Sequence, residues 1–283
     1  MKTPKSLEIL AYNGLVDEVV CQLMSGKEAE VYVVVSRGEM CCAKVYKEAG
    51  KRSFSHQAQY QEGRKGKNSR QARAMGKNSK YGRREQEGAW QNAEVDALNR
   101  LADVGVRVPR IINYFGGVLL MELVVDAQGD AAPRLNDLKL TAEQAREFHR
   151  TMISQIVLML CAGLVHGDLS EYNVLVGGDG LVIIDLPQAV DAAGNNNAAK
   201  MLLRDVENMA TYFGRFAPEL LATNYGEEIW KLYASGKLSP MSELTGRVEQ
   251  NHKPADVRGV MRIIDSARRD HERQLSNAQK ETL

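Results

Sequence analysis

The chain has 283 residues, enough for one large domain or for two lobes with a full core. A formal net charge of +1 selects no partner by bulk charge, so local clustering of charge matters more. With 44% hydrophobic and 26% charged residues the composition is that of an ordinary globular protein, which excludes a wholly disordered or fibrous chain.

The N-terminal MKTPKSLEIL lacks an apolar signal core. The longest apolar candidate, residues 152–165, is too short to span a bilayer and carries Ser154 and Gln155. Cys21, Cys41, Cys42 and Cys161 have no metal-ligand spacing, and adjacent Cys41 and Cys42 suit a disulfide framework poorly. Reduced thiols, a cytoplasmic location and no membrane partner are therefore expected.

In chain order, residues 4–12 read as a short helix ending at Asn13-Gly14. Residues 16–24, 31–36 and 40–46 read as three strands. Between the first two lies SGKEAEVY, with Ser25, Gly26 and Lys27 at its turn, and Lys44 sits in the third strand within CCAKVY. A strand, a small-residue turn, a second strand and then a strand-borne lysine can cover phosphates with backbone N–H groups and one point charge. The turn is neither G-x-G-x-x-G nor a Walker loop, so alone it reads equally as a polar hairpin.

Residues 48–89 break the pattern. Lys51, Arg52, Arg64, Lys65, Lys67, Arg70, Arg73, Lys77, Lys80, Arg83 and Arg84 accumulate with almost no acids before Glu85 and with little apolar periodicity. The stretch reads as a flexible basic insertion. Contact with RNA through residues 51–84 and a merely solvated loop fit it equally. Ser53, Ser55, Ser69 and Ser79 are candidate phosphate acceptors within it.

A helix resumes near Trp90, with Ala93, Ala97, Leu98, Leu101 and Val104 on one face. Glu94 is the first candidate to pair with Lys44, ahead of Glu87 and Asp96. Residues 111–114 and 118–124 read as two more strands. The second runs into a hinge where Met121 would back an adenine ring, the Glu122 carbonyl and the Val124 N–H meeting its edge. Residues 126–134 read as a linker.

Thr141 to Gln144 forms a capping-box pattern that opens a helix to Ala162, with Ile153, Ile156, Val157, Leu160 and Cys161 as its buried stripe. There follows LVHGDLSEYNVLV (164–176), a Gly-Gly-Asp-Gly turn (177–180) and LVIIDL (181–186). The two apolar runs form a hairpin whose open end brings Asn173 beside Asp185. The order H-x-D-x-x-x-x-N, strand, Asp is that of phosphotransferases with the protein-kinase fold. Asp168 can take or orient the proton of an attacking hydroxyl. Asn173 and Asp185 are hard oxygen ligands for Mg²⁺. His166 reads as structural. A further helix over residues 198–216 carries Asp205, read either as an anchor for the catalytic-loop backbone or as part of a surface site with Arg204. Ala217-Pro218-Glu219 matches A-P-E fortuitously. Residues 255–280 read as a charged helix.

SGKEAEVY (25–32), Lys44 in AKVY, the basic insertion before Trp90 and Glu94, HGDLSEYNVL (166–175) and IIDLPQAV (183–190) together resemble the RIO family of atypical serine/threonine protein kinases. The chain is most similar to members without an N-terminal winged-helix domain. The resemblance implies an α+β bilobal kinase-like fold lacking the activation loop and peptide-docking helices. It divides residues 1–250 into an N-lobe (1–124) and a C-lobe (125–250); residues 251–283, which the resemblance does not match, read separately as a C-terminal charged helix. It implies ATP and Mg²⁺ as cofactors, with Mn²⁺ as an alternative, and Ser/Thr phosphorylation of a protein substrate or of the chain itself. It also implies transient phosphorylation of Asp185 in an ATPase-like cycle, and a role in small-ribosomal-subunit maturation. Two other readings stay open. One is a small-molecule phosphotransferase of aminoglycoside-kinase type, against which the short 123–141 link counts. The other is a nucleotide-switched RNA- or ribosome-binding protein.

Overall fold

The structure, a computed structural model, describes residues 3–26, 28–47 and 80–247, all within one compact unit ending at Arg247. It opens with α1 (Lys5–Tyr12), β1 (Glu18–Ser25), β2 (Ala29–Ser36) and β3 (Glu39–Tyr46). Then come α2 (Lys80–Asp103), β4 (Ile111–Phe115) and β5 (Val118–Glu122). The five strands form one antiparallel sheet in the order β1-β2-β3-β5-β4.

The period-2 alternation of β3 sorts the two faces of this sheet. Cys41, Ala43 and Val45 point outward and pack under α1 through Leu7 and Leu10. Lys44 and Tyr46 point inward, where Leu98 and Leu101 of α2 and Leu119 of β5 join the main core. β1 is an edge strand, exposed along almost its whole length and broken by two register shifts. Such bulges bend an edge strand, here carrying Met24 toward the cleft.

The second lobe is built on α3 (Ala142–Cys161), α4 (Ala198–Gly214) and α5 (Tyr225–Ala234). Two small ribbons flank the catalytic loop. β6 (Leu164–Val165) pairs with β9 (Val190–Asp191), and β7 (Val174–Gly177) pairs with β8 (Gly180–Ile183). The antiparallel sheet with one main helix and the helical second lobe match the expected α+β bilobal arrangement. The Thr141 capping box forms as expected: its hydroxyl accepts from the Gln144 N–H, and the Gln144 side chain accepts from the Thr141 N–H.

Three expectations need correction. Residues 80–89 are the first turns of α2 rather than the end of a flexible insertion. Arg, Glu, Gln and Ala are good helix formers, and a polar helix turn leaves no apolar period to read. Cys161, expected in the buried stripe of α3, is exposed, because the packed face ends one residue earlier at Leu160. β5 ends at Glu122, and the chain then folds back so that Val125 bridges Ala131 around Gly129. Most of the basic insertion (48–79) and the expected helix at 251–283 lie outside the described residues. No helix among the described residues is long and apolar enough to cross a membrane.

His149 of α3 is buried against the rings of Phe213 and Tyr225, at 5.8 and 5.6 Å between centroids. Its Nε2 has no hydrogen-bond partner among the described residues. Burial pushes its pKa down to about 4, whereas in the unfolded chain it titrates near 6.5. The folded protein therefore holds His149 neutral. That contribution to stability is complete above pH 6.5 and is lost as pH falls toward 4. Urea unfolding at pH 7 and pH 4.5 should show His149→Leu losing about 2 to 3 kcal/mol less stability across that interval than the wild type. An unchanged pH difference would remove His149 as the source. Thr141→Ala, which breaks the capping box, should lower stability by about 1 kcal/mol at either pH.

Candidate active site

Lys44 lies in β3 between Val31 and Leu119 on the neighbouring strands, and only 7% of it is exposed. Its Nζ donates to Glu94 Oε1 and to Asp185 Oδ1, both at 2.7 Å. Glu94, on α2 and 2% exposed, also accepts from the Tyr46 hydroxyl at 2.6 Å. Burial alone would lower the Lys44 pKa, but the two carboxylates win and raise it. Burial would likewise raise Asp185, yet the Lys44 ammonium beside it brings the net shift down. The site thus holds a charged lysine bonded to Glu94 on one side and to an ionised Asp185 on the other. Of the three acids weighed as partner for Lys44, Glu94 is in contact, while Asp96 is exposed on the same helix.

The catalytic loop is set by backbone bonds. Gly167 has φ +83, a left-handed conformation that favours glycine, so the chain reverses sharply just before Asp168. Asp205 of α4 accepts from the Gly167 N–H at 2.7 Å and the Leu169 N–H at 3.1 Å. The Arg204 guanidinium donates to the Gly167 carbonyl, and Asn208 donates to the Leu169 carbonyl at 3.0 Å. Burial raises the Asp205 carboxyl to about 7, against these N–H donors and Arg204, which lower it. Of its two readings, the loop anchor is the one the geometry bears out. The Asp168 N–H donates to His166 Nδ1 at 3.3 Å, so His166 Nε2 carries the proton it gives the Ile184 carbonyl at 3.1 Å. Buried and held neutral, His166 shapes the loop.

Asp168 is exposed, and Gln188 donates to its Oδ2 at 3.4 Å. Desolvation by the surrounding walls and the charge of Asp185 raise its pKa, and Arg204 opposes them. Asn173 donates through its amide to the Asp168 carbonyl at 2.8 Å, and its own carbonyl accepts from the Ile184 N–H at 3.0 Å. The β7–β8 hairpin therefore fixes Asn173 and Asp185 on adjacent backbone. Asp185 itself has φ +67.

A cleft of about 610 Å³ runs between the sheet and the catalytic loop. That volume suits a small ligand. Gly26, Lys44, Glu94, Met121, Val124, Asn173 and Asp185 line it, as does Glu122. The Glu122 carboxylate is held below its usual pKa by two bonds from Arg107, at 2.8 and 3.2 Å, and one from the Arg110 N–H at 3.0 Å. Ser25 is not among the lining residues. Its hydroxyl accepts from Lys47, whose Nζ also reaches the Gly26 carbonyl at 2.7 Å. The Gly26 N–H donates to the Ala29 carbonyl at 2.9 Å, so it is committed to its own turn. Lys27 lies outside the described residues.

Two contributors were missed in the sequence. Tyr46, two residues after Lys44 on the same strand face, was available from the period-2 rule. Arg134, in the presumed linker, lines the cleft and had no signal of its own.

Residues 30–225 match the RIO domain family. The chain is 34% identical over 212 residues to the RIO-type serine/threonine-protein kinase Rio1 of Haloferax volcanii, covering 73% of this chain and 67% of that one. It is 30% identical to the serine/threonine-protein kinase rio1 of Schizosaccharomyces pombe, of whose length it covers 40%. Among solved structures, the Rio2 kinase of Chaetomium thermophilum in its ADP/Mg²⁺–phosphoaspartate complex superposes with a TM-score of 0.52 at 17% identity, over 82% of this chain and 74% of that one. That likeness carries the fold. The family match decides against the aminoglycoside-kinase alternative, and the chain belongs to the RIO family of serine/threonine-protein kinases.

Proposed function

We propose that this chain binds ATP with Mg²⁺ in the cleft and transfers the γ-phosphoryl group to serine or threonine hydroxyls, its own included. The observation that carries the reading is Lys44 bonded to both Glu94 and Asp185 at 2.7 Å, beside the Asp168–Asn173 loop. Phosphoryl transfer needs positioned charge more than covalent chemistry, and this arrangement supplies it.

Lys44 meets the nucleotide phosphates. Met121 and the hinge backbone at Glu122 and Val124 take the adenine, with Gly26 and Ser25 in the covering turn. The donor set fits Mg²⁺: one carboxylate and one amide oxygen are hard ligands, few enough to leave positions for phosphate oxygens and water. Asn173 and Asp185 would hold the ion, which neutralises charge on the phosphates. Asp168 takes the proton of the attacking hydroxyl as its oxygen bonds to the γ-phosphorus and the bond to ADP breaks. Its raised pKa moves it toward the range where a carboxylate can accept that proton.

A second acceptor is Asp185. Attack by one of its carboxylate oxygens releases ADP and leaves an acyl phosphate, and water then restores the carboxylate with loss of phosphate. The phosphoaspartate of the Rio2 complex motivates this branch. The protein substrate, a cytoplasmic location and RNA or ribosomal-particle contact through residues 51–84 belong to the same proposal, supported by the family and the basic sequence.

Purified chain incubated with γ-labelled ATP and Mg²⁺ should retain acid-stable label. Asp168→Asn and Asp185→Asn should each cut it roughly 10²-fold or more. Hydroxylamine-sensitive label lost with Asp185→Asn would assign the acyl-phosphate branch, and no label with no hydrolysis in the wild type would refute the assignment. The charge cluster gives a second expectation. Lys44→Met leaves two facing carboxylates and should cost roughly 3 kcal/mol of stability. Adding Glu94→Gln should restore part of it in a double-mutant cycle.

A further inference from the structure

Arg134 stands where the hinge segment reaches the second lobe. It precedes a short 3₁₀ turn, Leu135–Asp137, and forms an isolated antiparallel bridge with Leu175 of β7. This backbone pairing fixes its Cα on the cleft floor. Its guanidinium crosses to the opposite wall, where Nη2 meets the Sδ of Met24 near the end of β1. Arg134 and Met24 are 110 residues apart in sequence, and both line the cleft.

The charges of the cleft make this contact unexpected. Glu28, Glu94, Glu122, Asp137 and Asp185 line it, against Lys44 and Arg134 as the cations among the described residues. Lys44 is already shared between two of those carboxylates. Arg134 has no carboxylate within 4.0 Å among the described residues, and a thioether is only a weak acceptor. A guanidinium offers five N–H donors in a planar fork suited to phosphate oxygens.

We infer that Arg134 is a nucleotide-contacting residue whose guanidinium leaves Met24 and donates to the phosphate chain of a bound nucleoside di- or triphosphate. It then closes the cleft mouth from the second lobe, opposite Lys44. This rests on the nucleotide reading above. It adds a second cation that discriminates for phosphates, and leaves recognition of the base to the hinge.

The test is calorimetric titration of the full chain with ADP and, separately, with adenosine, in Mg²⁺ buffer, for wild type, Arg134→Gln and Arg134→Lys. Thermal melts check that the variants fold. Arg134→Gln should weaken ADP about tenfold and leave adenosine unchanged, with Arg134→Lys between the two. ADP affinity within twofold of wild type in Arg134→Gln would overturn the inference and leave the nucleotide reading intact. An equal loss for ADP and adenosine would also overturn it, by making Arg134 a shaper of the cleft wall. A wild type that binds neither would overturn both readings together.

Discussion

Everything at the candidate site depends on keeping one ammonium charged inside protein. Lys44 is nearly enclosed, and an enclosed lysine without partners would lose its proton. Glu94 arrives from α2 and Asp185 from the end of the β7–β8 hairpin, 50 and 141 residues away in sequence. Removing Lys44 leaves two facing acids without their cation in a poorly solvated place, and removing either acid takes from Lys44 one of its two partners. The cluster therefore ties sheet, helix and catalytic loop into a single electrostatic unit. Tyr46 extends it by donating to the second oxygen of Glu94.

The lobes are also joined by main-chain bonds that need no particular side chain. The Ile183 N–H donates to the Arg107 carbonyl at 2.9 Å. The Gly178 N–H donates to the Val125 carbonyl, and the Val176 N–H to the Pro133 carbonyl, both at 2.9 Å. The hinge thus lies directly on the hairpin that carries Asn173 and Asp185. A Cβ on Gly177 would come within 3.1 Å of the Val124 side chain. The glycine pair there serves close approach as well as the turn.

Much of this was legible in the sequence because the signals were local. Thr141 and Gln144 cap each other across one turn, and Lys44 sits within a short β-prone run that reads as a strand. The spacing of Asp168, Asn173 and Asp185 is that of a loop and hairpin read by turn chemistry. What escaped was set by distant chain. The early start of α2 lacks an apolar stripe, and Cys161 is the exposed last residue of α3. The alternation expected of a half-buried strand fails in β1, an edge that extends past its cover. Arg134 looked like linker because its role comes from Leu175 and Met24, both brought to it by tertiary structure.

The backbone at Asp185 limits its replacements independently of its chemistry. At φ +67 it occupies a region that costs most L-residues roughly 1 to 2 kcal/mol, and that asparagine and aspartate enter more readily than others. Glutamate carries the same carboxylate but lacks that tolerance and adds a methylene between the charge and its fixed partners. The side chain at this position answers two demands, a carboxylate for the Lys44 ammonium and a main chain turned to the left. Among carboxylates only aspartate meets both demands, so substitution by the other natural acid is a geometric fault before it is a catalytic one.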